Sequence, residues 1–135
     1  MKRIIIFASG SGTNAENLIT FFRNRDDASV VQVLTNNAQA KVIDRCEKLN
    51  VSVSSFTKDD FLQSNHILNI LKTSRADIIV LAGFLWKFPE FILKEFPNKV
   101  INIHPALLPK HGGKGMYGMH VHQAVLNNKE SETGI

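Results

Sequence analysis

The sequence predicts an α/β fold, a Rossmann-like open parallel sheet with helices on both faces. Three observations carry that expectation. The runs Ile4–Ala8, Val30–Leu34, Asp77–Ala82 and Val100–Ile103 are apolar almost throughout rather than alternating, as in strands covered on both faces. Segments with apolar residues at helical spacing separate them, the rhythm of βαβ units with right-handed crossovers. The first run passes directly into Ser9-Gly10-Ser11-Gly12-Thr13-Asn14, a glycine turn that opens a helix, which is the order used to seat a phosphate.

The 135 residues are one domain's worth of chain, so a single unit over 1–135 is expected. The net charge of +4 comes without a run of Lys or Arg, which argues against a nucleic-acid partner and suits an anionic small molecule. Cys46 is the only cysteine, so an internal disulfide and a cysteine-based zinc site are excluded, and a reducing, cytoplasmic setting is expected. Lys2-Arg3 followed by Ile4–Ala8 is too short for a signal peptide, and no stretch is long enough for a membrane helix. With no secretory route indicated, the Asn50-Val51-Ser52 sequon carries no glycan.

In chain order, Ile4–Ala8 is the first strand, and Ala15, Leu18, Ile19 and Phe22 form one apolar stripe on the helix after it, with Thr13 or Asn14 as cap. Ala15 stands where a dinucleotide fingerprint needs its third glycine, and the Gly-Lys-Ser/Thr of a P-loop is absent. The stretch therefore reads as a monophosphate site, the alternative being a plain tight turn. After the second strand, Ala40, Ile43, Cys46 and Leu49 make a helical stripe that places Cys46 in packing rather than in chemistry. Val51–Phe56 reads as a short third strand. Thr57-Lys58-Asp59-Asp60 resembles a capping box that opens a helix to about Ser74, with Phe61, Leu68 and Leu71 inward and His66 solvated. Asp77–Ala82, the fourth strand, ends in Gly83-Phe84-Leu85-Trp86-Lys87-Phe88-Pro89, whose aromatics suit either a core lid or the wall of a pocket for a flat heterocycle. Pro89 starts a helix carrying Phe91, Ile92 and Phe96, which Pro97-Asn98 ends.

Val100–Ile103 reads as a short buried strand stopped by Pro105. Asn102 and His104 are two residues apart at its carboxyl end and on one side, where open α/β sheets keep their active sites. The glycine-rich stretch Lys110–Gly118 reads as a mobile loop. His120 and His122 do not share a helix face and have no carboxylate at ligand spacing, so no metal is expected. Oligomeric state is not encoded in any of these patterns.

Ser9-Gly-Ser-Gly-Thr-Asn14, Leu81-Ala-Gly-Phe84, Asn102-Ile-His-Pro-Ala-Leu-Leu-Pro109, Gly113-Lys-Gly-Met-Tyr-Gly118 and His120-Val-His122 together resemble the glycinamide ribonucleotide formyltransferases, folate-dependent enzymes of purine biosynthesis. The resemblance runs the length of the chain, and the amino-terminal loop narrows it from the wider formyltransferase fold. It implies a phosphate of glycinamide ribonucleotide on Gly12, Thr13 and Asn14, and a folate pocket at Lys58, Leu85, Trp86, Lys87, Phe88 and Asn102. It also implies catalysis by Asn102 and His104, with 10-formyltetrahydrofolate as co-substrate and no metal. Two departures from the family's pattern are Ala106 in place of a common serine and Trp86-Lys87 in place of an arginine-aliphatic pair.

The family's chain continues past the point where this sequence stops, through a strand and loop that supply a catalytic aspartate. The expectation is thus an amino-terminal nucleotide-binding domain, incomplete at its carboxyl end and inactive by itself. The alternatives are a methionyl-tRNA formyltransferase, a formyltetrahydrofolate hydrolase, or a nucleotide-binding module without turnover.

Overall fold

In a computed structural model the chain divides by its contacts into two units, Met1–Ile101 and Asn102–Ile135. The structure describes residues 1–103. The elements in order are β1 (Lys2–Phe7), α1 (Thr13–Phe22), β2 (Ala28–Thr35), α2 (Lys41–Lys48), β3 (Val53–Ser55), α3 (Lys58–Leu62), α4 (His66–Thr73), β4 (Ile78–Ala82), α5 (Glu90–Leu93) and β5 (Val100–Ile103). The sheet order is β3-β2-β1-β4-β5. The pairs β1–β2, β1–β4 and β2–β3 are parallel, and Phe7 is in register with Leu34 on one side and Leu81 on the other. This is the expected α/β sheet.

β1 lies in the middle because it can be covered on both faces. Ile5 and Phe7 point to the face where Leu34, Ile79 and Leu81 pack with Phe61, Ile67, Leu71 and Ile92. Ile4 and Ile6 alternate with them, and both are buried, as are Val33, Ala15, Ile19, Val42 and Cys46. Truncating one such large side chain to Ala costs about 2–5 kcal/mol, since the lost burial adds to a cavity that the sheet cannot close.

Several elements differ from the sequence pattern for identifiable reasons. The expected single helix from Lys58 to Ser74 is two, α3 and α4. At the break the Ser64 hydroxyl donates to the Asp60 carbonyl (3.1 Å) and accepts from the His66 N–H (3.2 Å), a local side-chain alternative to the helical ladder. The capping box itself forms: the Asp60 N–H donates to Thr57 Oγ1 (3.1 Å) and the Thr57 N–H to the Asp60 carboxylate (2.9 Å). α1 is capped by Gly12 rather than by a Thr13 or Asn14 side chain. In α2 the fully buried positions are Val42 and Cys46, while Ile43 and Leu49 are half-buried. β3 is only Val53–Ser55, and α5 is a single turn. β5 has the expected bounds and, among the described residues, stands last in the sheet; it is half-exposed rather than buried, with Ile101 54% exposed. Asn50, Arg75 and Asn98 follow helices or turns with positive φ, the left-handed geometry that closes a helical end.

Candidate functional site

In this strand order the chain runs outward from β1 to β3 and then returns to the other side of β1. The crevice between the carboxyl ends of β1 and β4 is therefore the topological switch point, where open α/β sheets bind ligands. Two loops leave from it, residues 8–12 and residues 83–89, and Ser9 ties them together. Its N–H donates to the Gly83 carbonyl (3.1 Å), and its hydroxyl accepts from the Leu85 N–H (2.9 Å). Ser9 is buried, so these bonds form in a low dielectric where they hold geometry well.

The first loop is shaped by the backbone of Gly12. Gly12 has φ 76° and ψ 22°, left-handed, and Thr13 begins α1 in right-handed geometry. Successive residues of opposite hand turn consecutive N–H groups toward one point, so the amides of Gly12, Thr13 and Asn14 form a concave nest at the positive end of the α1 dipole. Only glycine fits there. A Cβ on Gly12 would lie 2.6 Å from the Val42 Cβ and 2.9 Å from its Cα, with Cγ2 nearer still. The loop is held from behind by α2: the Val42 N–H donates to the Gly10 carbonyl (3.1 Å), and Arg45 Nε donates to the Ser11 carbonyl (2.6 Å). Arg45 also pairs with Glu16 in the first turn of α1.

The second loop forms one wall of a pocket of about 500 Å³ lined by Lys58, Phe61, Leu62, Leu85, Trp86, Lys87, Phe88, Pro89 and Glu90. Its floor belongs to an aromatic cluster. Phe61 lies 5.9 Å from Trp86 and 5.5 Å from Phe88, centroid to centroid, and Phe7 reaches Phe88 at 5.0 Å, edge to face. Lys58 and Lys87 are exposed and line the same pocket, so an aromatic surface stands beside cationic side chains. Glu90 lines the pocket as well, and an aromatic surface edged by lysines is chemically suited to a flat heterocycle with an anionic tail.

The structure thus brings Gly12, Thr13 and Asn14 together in the nest, and Lys58, Leu85, Trp86, Lys87 and Phe88 together in the pocket. Asn102 is exposed on β5, is not among the residues that line the pocket, and falls in the second unit. His104, Ala106, the glycine-rich stretch after Pro109, and His120 with His122 lie outside the described residues. Cys46 is buried, and desolvation, reinforced by Glu47, pushes its thiol up to about 11, which leaves it without nucleophilic character at neutral pH. The described residues hold no group of three or more His, Cys, Asp or Glu placed to bind a metal ion. Sequence reasoning placed Ser9 in the glycine turn but missed its tie to the second loop, and it missed Val42 and Arg45 as parts of the site. Nothing local marks them, because each acts across a long stretch of chain.

The family model described as formyl transferase matches residues 2–135, and the chain belongs to the formyl transferase family. Within it, the phosphoribosylglycinamide formyltransferase of Bacillus subtilis is 34% identical over 84% of this chain and 60% of its own length. The chloroplastic enzyme of Arabidopsis thaliana is 32% identical over 98% of this chain and 48% of its own. The chain spans about half the length of these curated relatives. Among solved structures, glycinamide ribonucleotide transformylase 1 from Geobacillus kaustophilus superposes with a TM-score of 0.85 at 35% identity, covering 99% of this chain and 71% of that one. Phosphoribosylglycinamide formyltransferase from Brucella melitensis gives 0.86 at 30% identity, covering 98% and 69%.

Proposed function

We propose that this chain carries the ribonucleotide seat and the folate pocket of a phosphoribosylglycinamide formyltransferase, which moves a formyl group from 10-formyltetrahydrofolate to the amine of glycinamide ribonucleotide. The observation that carries the reading is the pairing of a three-amide nest with an aromatic, lysine-edged pocket at one switch point. Gly12, Thr13 and Asn14 take the 5′-phosphate, so this loop is a phosphate-binding loop without a P-loop lysine. Leu85 and Trp86 face the pteridine, with the buried Phe61 and Phe88 supporting them from beneath, and Lys58 and Lys87 face the anionic tail.

In the reaction the substrate amine attacks the formyl carbon and a tetrahedral oxyanion forms. The Asn102 amide donates to that oxygen. His104, as the imidazolium, stabilises the charge and gives its proton to the departing folate nitrogen, and the neutral imidazole then takes up the proton that the attacking amine sheds. Losing one oxyanion donor costs about a hundredfold to a thousandfold in rate. The partners in this reading are small molecules, with no nucleic acid and no metal, in a cytoplasmic setting. No helix among the described residues is long and apolar enough to cross a membrane.

The chain has one tryptophan, Trp86, and it lines the pocket. Its fluorescence should change saturably when an unreactive folate is titrated, and inorganic phosphate should shift the Gly12, Thr13 and Asn14 amides in NMR spectra. A chain in which neither titration saturates does not have this site.

A further inference from the structure

We infer that Arg45 is a positioning residue for the phosphate nest, locking the Ser11–Gly12 peptide in the one orientation that aims the Gly12 N–H at the anion. This deepens the phosphate-site reading above and rests on it. A trans peptide is planar, and its C=O and N–H point in opposite directions. Arg45 Nε holds the Ser11 carbonyl on the α2 side at 2.6 Å, so the N–H of the same peptide unit, which belongs to Gly12, faces away from α2. One residue earlier the Val42 N–H holds the Gly10 carbonyl in the same way at 3.1 Å, which turns the Ser11 N–H outward.

The lock matters because a glycine accommodates the alternative. Flipping the Ser11–Gly12 peptide rotates φ of Gly12 away from its left-handed value of 76°, abolishes the alternation of hand with Thr13, and swings the Ser11 carbonyl oxygen into the nest. A carbonyl there repels an anion. Without the guanidinium both orientations are open to Gly12, and the binding-competent one becomes only a fraction of the population, which weakens apparent affinity by that fraction. Arg45 acts on charge as well. Glu16, in the first turn of α1, would place a free carboxylate near the anion, and its ion pair with Arg45 offsets that charge.

The test uses the 135-residue chain with inorganic phosphate and ribose 5-phosphate as probes, followed at the Gly12, Thr13 and Asn14 amides. Arg45→Met keeps the aliphatic stem and removes the guanidinium. It should weaken both probes by about tenfold, the scale of a lost charge-assisted hydrogen bond, and change the Gly12 amide even before a probe is added. Cys46→Ala, which removes a buried atom from the same helix without touching the loop, should lower the melting temperature but leave probe affinity within about twofold, which separates positioning from general weakening of α2.

The double variant Arg45→Met/Glu16→Gln removes the uncompensated carboxylate and should still bind several-fold more weakly than the parent. If it binds as the parent does, Arg45 only neutralises charge and the lock is wrong. Arg45→Lys keeps a cation near Glu16 with a single donor group and should fall between parent and Arg45→Met. Should Arg45→Met not fold, parent-like affinity of Arg45→Lys together with an unchanged Gly12 amide overturns the lock. Parent affinity in Arg45→Met also refutes it while leaving the nest intact, whereas a parent chain that binds neither probe refutes the phosphate site itself.

Discussion

Gly12→Ala isolates the strongest structural constraint in the phosphate loop, and its cost can be assembled from two separate causes. A non-glycine residue held in the left-handed region costs about 1–2 kcal/mol. The new Cβ would also stand 2.6 Å and 2.9 Å from the Val42 Cβ and Cα, which are backbone-anchored atoms that cannot rotate away. Such overpacking costs about 1–3 kcal/mol. The lower entropy of the unfolded chain returns about 0.4–1 kcal/mol, so the net loss should be about 1–5 kcal/mol, centred near 3, or roughly 10 °C in melting temperature for a domain of this size.

Gly83 and Gly10 supply the controls. Gly83 has φ 71° but open space at its Cβ, so Gly83→Ala should lose only about 1 kcal/mol, from strain alone. Gly10 has open space and no positive φ, so Gly10→Ala should stay within about 0.5 kcal/mol of the parent. Adding Val42→Ala to Gly12→Ala should recover only part of the loss, because it removes the nearest atom, Cγ2, but leaves the backbone-anchored contacts at 2.6 Å and 2.9 Å. Urea unfolding followed by circular dichroism gives all of these values. If Gly12→Ala and Gly83→Ala agree within about 0.5 kcal/mol, the overlap with Val42 is not real and the packing of α2 against the loop is misjudged.

Four further outcomes are expected. Thr57→Ala should cost about 1 kcal/mol by chemical denaturation, because the Asp60 N–H loses its capping oxygen; a loss under about 0.3 kcal/mol would mean the box contributes nothing. The Thr57 N–H, followed by the Thr57 hydroxyl, holds the Asp60 carboxyl below its usual range; a depressed folded-state value adds stability that is present above the ordinary carboxylate pKa and is lost as pH falls through the folded one. Asp60→Asn should accordingly flatten the acid limb of the stability profile below about pH 4, and an unchanged limb would assign it to other carboxylates. Cys46, with its thiol pushed up to about 11 by burial, should react with a thiol reagent at pH 8 only at the rate of global opening, so equal labelling rates for folded and urea-unfolded protein would contradict its place in the core. Arg75→Gly should stabilise the chain by about 0.5–1 kcal/mol by relieving φ 55° at the end of α4, a gain that thermal melting would reveal and that a lower melting temperature would refute.

Much of the fold was written in the sequence because parallel strands leave a strong local mark. Ile4–Ala8 and Asp77–Ala82 are apolar on both faces, and that pattern alone places them centrally in a covered sheet. The glycine turn before α1 and the aromatic run after β4 were equally visible, since each follows its strand directly and so must emerge at the carboxyl edge. The break between α3 and α4 was not visible, because Ser64 interrupts the ladder through hydrogen bonds that helical periodicity does not register. The partial exposure of β5 was also hidden, since an apolar run looks the same half-covered as fully covered.

What the sequence determined by itself is therefore the set of residues proposed to meet a ligand: Gly12, Thr13 and Asn14 in one stretch of chain, and Leu85, Trp86, Lys87 and Phe88 in another. Only the tertiary structure decided that these stretches leave the sheet side by side, joined through Ser9, and that Lys58 reaches the same pocket from the start of α3. It alone brought Val42 and Arg45 behind the glycine loop. The physical reason is range. A turn, a cap or an apolar stripe is fixed by neighbours within a few residues. The hand of Gly12 and the direction of its N–H are fixed by a helix about thirty residues further on, which the packing of α2 beside β1 alone puts in reach.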